Sequence, residues 1–316
     1  MTDLLSLLGR AWGRASGRAG LGLVLAPLVL AVALTGCGLL PAEDAKVRFA
    51  TEDDVPELPI DRYQFSTDEY RQHSKAQARL EQRCMVSFGF ADFPLDPKQP
   101  SPAMSMVAAG TGPYGLLDLD KARRWGYGWD PKKAAAWEPK GRAMTQEERG
   151  VLYGTRLGGS ATVSGRKVPE AGCSGVASGQ LADGVKDSKR MWTFSQDRER
   201  SLDKTVEKDP RVVLALKTWS QCVVDKGLGR YQNPQEAFSD KAWSRGQNGN
   251  TTRTDRELAT ATADVECKRK HDTAGEWWEV RREVQQYDVD RDKPAYEAVR
   301  KDLDVVRANI RKALGD

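Results

Sequence analysis

KTWSQCVVDKGL, residues 217–228, carries the pattern on which the fold reading turns. Val212, Leu216, Trp219 and Val223 recur at helical spacing and so share one face. Gly227, five residues after Cys222, is placed to serve as the left-handed cap that ends such a helix. RLEQRCMVSFGF, residues 79–90, repeats the plan, with Ala76, Leu80, Cys84 and Phe88 in the stripe and Gly89 five residues after the cysteine. Each cysteine therefore sits on the last turns of a helix, a position from which one helix can be stapled to another.

The other two cysteines of this part of the chain also lie in helical text. Cys173 opens GCSGVASGQLADGV, and Cys267 closes ELATATADVEC, whose alanine and acid content favours helix. Four cysteines allow three connectivities. Pairing neighbours in order, Cys84 with Cys173 and Cys222 with Cys267, makes each repeat a self-contained helix pair, and sequential elements are usually adjacent. Pairing Cys84 with Cys222 would instead cross-link the repeats. A catalytic thiol needs an activating base, and only His73 and His271 exist. His271 lies one turn after Cys267, but using that thiol would leave an odd cysteine behind. The sequence thus points to a mainly α-helical, disulfide-stapled bundle.

Disulfides imply an oxidising compartment, and the N-terminus supplies a route to one. Arg10, Arg14 and Arg18 face a single acid, Asp3, and LGLVLAPLVLAVAL, residues 21–34, forms an apolar core behind them. That is the layout of an export signal. Gly20, Gly22 and Pro27 weaken it as a spanning helix. Leu34, Thr35, Gly36 and Cys37 resemble the lipobox of bacterial lipoprotein precursors. The resemblance implies that residues 1–36 are removed and that Cys37 becomes the acylated first residue, in the manner of a palmitate-bearing lipoprotein. The chain would then be lipid-anchored on the extracytoplasmic face of the cell membrane. Two or more acyl chains, at ~0.8 kcal/mol per buried methylene, suffice for stable anchoring. The rival is an uncleaved single span; both place the rest outside the cytoplasm.

Losing the three arginines and Asp3 from 49 basic and 45 acidic residues leaves 46 against 44. So balanced a surface gives no electrostatic footprint for nucleic acid. C-M-x-x-x-G-F from Cys84, G-C-S-G at 172–175, and D-P-R-V with W-S-x-C followed by A-D-x-x-C-K resemble uncharacterised secreted lipoproteins of actinobacteria. The resemblance covers most of the chain after Cys37. It implies fold and location, and it transfers no functional residue.

Along the chain, residues 37–66 mix acids and prolines without sustained period and read as a membrane-proximal tether. Residues 67–316 read as one helical extracytoplasmic domain: 67–183 a first cysteine–helix repeat with an irregular insertion, 187–316 a second repeat with a long C-terminal helical pair. Ser66 or Thr67 caps the first helix, Thr145 starts another, and residues 155–168 have the content of a small hairpin. Val299, Leu303, Val306, Ile310 and Ala313 form an apolar seam expected to pack on the preceding helix along Val280, Val284 and Tyr287.

Motifs with known chemistry fail in detail. GTGPYG, 110–115, matches a dinucleotide fingerprint but lacks the preceding strand. Asp288, Asp290 and Asp292 occupy the first ligand positions of a calcium loop, yet Lys293 and Val299 replace its glycine and bidentate glutamate. Ser164 to Lys167 and Ser201 to Lys204 fit S-x-x-K without any K-T-G. No catalytic residue, cofactor or metal is assigned. The best candidate ligand surface is Trp125, Tyr127, Trp129 and Trp137, interleaved with glycine and basic residues, whose faces could stack on sugar or clasp a peptide. Trp219, Trp277 and Trp278 read as core. These features favour a lipid-anchored binding or envelope-associated module, whose partners beyond the membrane would be cell-wall glycan, a peptide or an envelope protein. The alternatives are a hydrolase using dispersed acids such as Asp118 and Asp120, and an envelope scaffold.

Overall fold

The computed structural model describes residues 48–97, 114–128, 130, 140–155, 158–243 and 253–315. All belong to the second of two compact units, Ala45–Asp316. The export signal, Cys37, the start of the tether, Trp129, Trp137 and residues 110–113 of GTGPYG lie outside the described residues.

Helix α1 (Thr67–Ser87) opens on a reciprocal cap: Ser66 accepts the Glu69 N–H, and the Glu69 carboxylate accepts that of Ser66. Helix α2 (Leu119–Trp125) is capped by Asp118, and α3 (Gln146–Tyr153) by a second reciprocal pair, Thr145 and Glu148. Strands β1 (Thr162–Val163) and β2 (Arg166–Lys167) pair antiparallel around Ser164 and Gly165, both at positive φ, which is the signature of a tight hairpin turn. Helix α4 (Gly172–Leu181) follows. Then come α5 (Ser188–Lys208), α6 (Pro210–Asp225, with Asp209 as cap), the short α7 (Pro234–Phe238) and α8 (Asp255–Lys270). Helices α9 (Thr273–Arg291) and α10 (Lys293–Leu314) complete a mainly helical fold. Gly89 and Gly227 take positive φ just past α1 and α6, as the sequence leads one to expect.

Two disulfides join these helices, Cys84 with Cys173 and Cys222 with Cys267, with Cα atoms 5.6 and 5.8 Å apart. The first ties the end of α1 to the start of α4, over a core of Met85, Phe88, Phe93, Val151, Leu152 and Val168. Gly172 beside it stands at φ +64°, where a Cβ would come 2.2 Å from the Leu152 carbonyl oxygen. Only glycine lets the end of α3 approach α4 so closely. The second disulfide ties α6 to α8 over Trp219, Val223, Tyr231, Phe238, Trp243 and Val265.

Three elements depart from expectation. Helix α2, inside the first repeat by sequence, packs on α8 and completes the second repeat's core with Leu116, Ala122 and Tyr127. It is too short to cover itself, and Trp219 and Val265 present the apolar face that it fills. Residues 48–66 are no free tether. Phe49, Leu58, Ile60, Tyr63 and Phe65 are buried, and three of the segment's acids, Glu52, Asp54 and Asp61, are held in hydrogen bonds. Asp54 accepts the N–H groups of Ala50 and Thr51, while Glu52 accepts that of Leu117 at 2.9 Å and the Lys121 ammonium at 2.7 Å. Trp278 donates to the Pro56 carbonyl and Gln285 accepts from Ile60, so this strap lies along α9. Finally, the α10 seam is buried as expected, but against α1, α4 and α5, through Leu181 and Met191. Val280 turns instead to Val206 and Val212, and Tyr287 is exposed.

Candidate binding surface

The aromatic stretch expected to face a ligand is divided. Trp125 is half-buried at the end of α2. Tyr127 is interior, 5.8 Å edge-on from Phe238, and its backbone N–H donates to the buried Glu257 at 3.3 Å. The chain reverses at Gly126 and drives the ring inward, so an open Trp125–Tyr127 face is not formed. Asp118 is committed to capping α2 and to Lys121 at 3.6 Å, and Asp120 lies exposed in the first turn of the same helix. Of the calcium-like acids, Asp288 and Asp292 both meet the Arg198 guanidinium, and Asp290 stands apart. Asp288 is buried, accepts from the Tyr296 hydroxyl at 2.7 Å and pairs with Arg198 and Arg291, while Asp290 is exposed and bonded by Gln286. No group of metal-binding side chains occurs among the described residues. Cys267 is bonded to Cys222, which takes it out of any pairing with His271.

The polar residues of the W-S-x-C and A-D-x-x-C-K stretches turn inward. Trp219, Asp264 and Lys268 are buried together, and Lys268 also donates to the Leu116 carbonyl at 2.9 Å. Burial pushes the Asp264 carboxyl up and the Lys268 ammonium down, against their mutual attraction. A second polar interior runs along α9. Thr273 Oγ1, Trp277 Nε1, Arg281 Nε and Gln285 Nε2, spaced four residues apart, are buried without a hydrogen-bond partner among the described residues, as is the Tyr114 hydroxyl. Arg281 pairs with Asp203 at 2.9 Å and approaches Glu199 at 3.9 Å. Burial holds the Glu199 carboxyl above its usual range, with Asp61 and Asp203 adding to the effect and Arg281 opposing it.

Exposed aromatic rings do gather elsewhere, where α1 meets α5. Phe65, buried at the end of the strap, holds Tyr70 of α1 at 5.7 Å and Trp192 of α5 at 5.4 Å between ring centres. Tyr70 and Trp192 lie 6.2 Å apart, inclined by 31°, and His73 meets the Trp192 ring edge-on at 5.4 Å. Both rings remain open to solvent, Tyr70 by 48% and Trp192 by 40%. Arg307 lies over Phe65 and pairs with Glu69 at 2.7 Å, which locks the base of the cluster. Sequence reasoning passed over these residues because Tyr70 and His73 sit in charged text and Phe65 in the supposed tether. The available signal was Trp192, a tryptophan off the buried α5 face of Met191, Ser195 and Val206.

No family model, no curated protein and no solved structure matches the chain.

Proposed function

We infer that this chain is a lipid-anchored extracytoplasmic binding module that contacts its ligand through the Tyr70–Trp192 surface. The observation that carries the binding reading is that pair of half-exposed rings, fixed from below by Phe65. Aromatic side chains held open and immobile offer contact area at little ordering cost. Two features support the address. Cys84, Cys173, Cys222 and Cys267 are consumed in disulfides, as suits an exported protein. Cys37 follows Leu34, Thr35 and Gly36, the lipobox order. Among the described residues no helix is long and apolar enough to cross a membrane. The test has two arms in the native bacterium. Palmitate labelling should mark the wild type and not Cys37→Ala. Isolated envelope fragments should retain the wild type and release Tyr70→Ala/Trp192→Ala; equal retention would overturn the assignment of the surface.

A second reading, an envelope hydrolase, is favoured by Glu199 alone, whose raised carboxyl lies with Asp61 and Asp203 around Arg281. Lytic activity lost in Glu199→Gln and kept in Trp192→Ala would establish it over the first.

A further inference from the structure

We propose that the Tyr70–Trp192 platform recognises a neutral sugar chain, with pyranose C–H faces laid on the two rings and hydroxyls reaching the polar side chains around them. This rests on the binding reading above and names the class of its ligand.

Size argues first. Aromatic side chains of 150–250 Å² exposed by 48% and 40% present roughly 200 Å² together. A protein partner needs about 800 Å² on each side, some four times more. Two rings with centres 6.2 Å apart instead match one or two sugar units.

Geometry argues next. At 31° the two ring planes lie closer to parallel than to perpendicular, and each ring keeps part of its surface open to solvent. Open aromatic surface suits the flat C–H side of a pyranose, which needs no charge to be held. The rings are also prepared in advance: Phe65 packs beneath both, and Arg307 and Glu69 fix Phe65 and α1 together. Little rotamer freedom remains to be lost on binding.

Charge selects among small ligands. Of the eight positions three or four residues from either ring along its helix, Lys189 alone is charged, in a chain of which 30% is charged. Thr67, Ser188 and Gln196 offer exposed hydroxyl and amide groups there. Nearby charges cancel in pairs, Glu69 with Arg307 and Asp68 with Arg71. Burial keeps the His73 imidazole below its ordinary pKa, hence neutral at neutral pH. A nucleotide, phosphate or acidic peptide would meet no cationic cluster here, and a basic peptide no anionic one.

The experiment is calorimetric titration of the full chain, reconstituted in lipid nanodiscs, with chitotetraose, cellotetraose and maltotetraose, and with tetraglutamate and tetralysine as charged probes. At least one tetrasaccharide should bind and neither peptide should. Trp192→Ala should weaken binding about tenfold or more, the loss of one aromatic contact of roughly 1.4 kcal/mol, whereas Trp192→Phe should keep most of it. Absence of tetrasaccharide binding, tighter binding of a charged peptide, or an unchanged affinity in Trp192→Ala would overturn the proposal. If no saccharide binds but envelope fragments still distinguish wild type from Tyr70→Ala/Trp192→Ala, the ligand class falls and the binding surface stands. If the fragments fail to distinguish them, the binding reading itself falls.

Discussion

Trp219 donates its indole N–H to Asp264 at 3.0 Å, and Lys268, one turn further on α8, pairs with the same carboxylate at 2.9 Å. The three side chains lie beside the Cys222–Cys267 bridge, and the A-D-x-x-C-K motif thereby acquires a physical role: it places an ion pair inside the core. Removing one partner of such a pair leaves the other charged and buried. Asp264→Ala should destabilise the protein by about 3–5 kcal/mol, and Asp264→Ala/Lys268→Met by less than that single change. Urea unfolding with both disulfides intact measures the difference.

The bridges close loops of 89 and 45 residues. By the chain-entropy argument each restricts the unfolded chain by roughly 4–5 kcal/mol, slightly more for the longer loop. Cys84→Ala/Cys173→Ala and Cys222→Ala/Cys267→Ala should each lower the midpoint of thermal unfolding by several degrees. Calorimetry of the two double variants against the wild type tests both values.

Tyr127 is not the ligand-facing ring that the sequence suggests, and Trp192, which the sequence reading leaves without a role, is open to solvent. Tyr127 is 2% exposed and packed among Phe238 and Trp243, so Tyr127→Ala should cost about 3–5 kcal/mol. Trp192→Ala, at an open position, should cost about 1 kcal/mol or less. Thermal melts of the two variants should separate clearly, with only the Trp192 change leaving the fold near wild-type stability.

Glu148 sets an acid limit. Its carboxylate takes two hydrogen bonds from Arg142, at 2.9 and 2.6 Å, and one from the Thr145 N–H. The Arg142 guanidinium, and then that N–H, hold its pKa down at about 2. A folded pKa below the unfolded one gives stability that is fully present above pH ~4.5 and lost as pH falls towards 2. Arg142 is partly open to water, which screens the pair and reduces its contribution. In Glu148→Gln the acid limb of the stability curve should flatten, as read from unfolding midpoints between pH 2 and 6.

Periodicity was sufficient to read the long helices, because it is local, and the tendency of sequential elements to be adjacent chose the disulfide pairing from three possibilities. Val299 to Ala313 declares a buried face whatever it packs against; the sequence could not say that the face meets Met191 and Leu181 instead of Val284. The strap was illegible for a related reason: Glu52, Asp54 and Asp61 look like solvated acids until their N–H partners are seen. The Tyr70–Trp192 cluster was hidden most of all. Tyr70 and Trp192 are 122 positions apart, and only the crossing of α1 and α5 over Phe65 makes them neighbours.

The strap also bears on how the chain reaches its native state. Phe49 meets Trp278, Glu52 meets Leu117, and Glu69 meets Arg307, pairs separated by tens to hundreds of positions. A protein built from helices ordinarily folds fast because its contacts are short-ranged; here the closing contacts are remote, and loop-closure entropy must be overcome before they form. Refolding of the oxidised chain should therefore run slower than its helical content suggests, with seating of the amino-terminal segment on α9 as its last event.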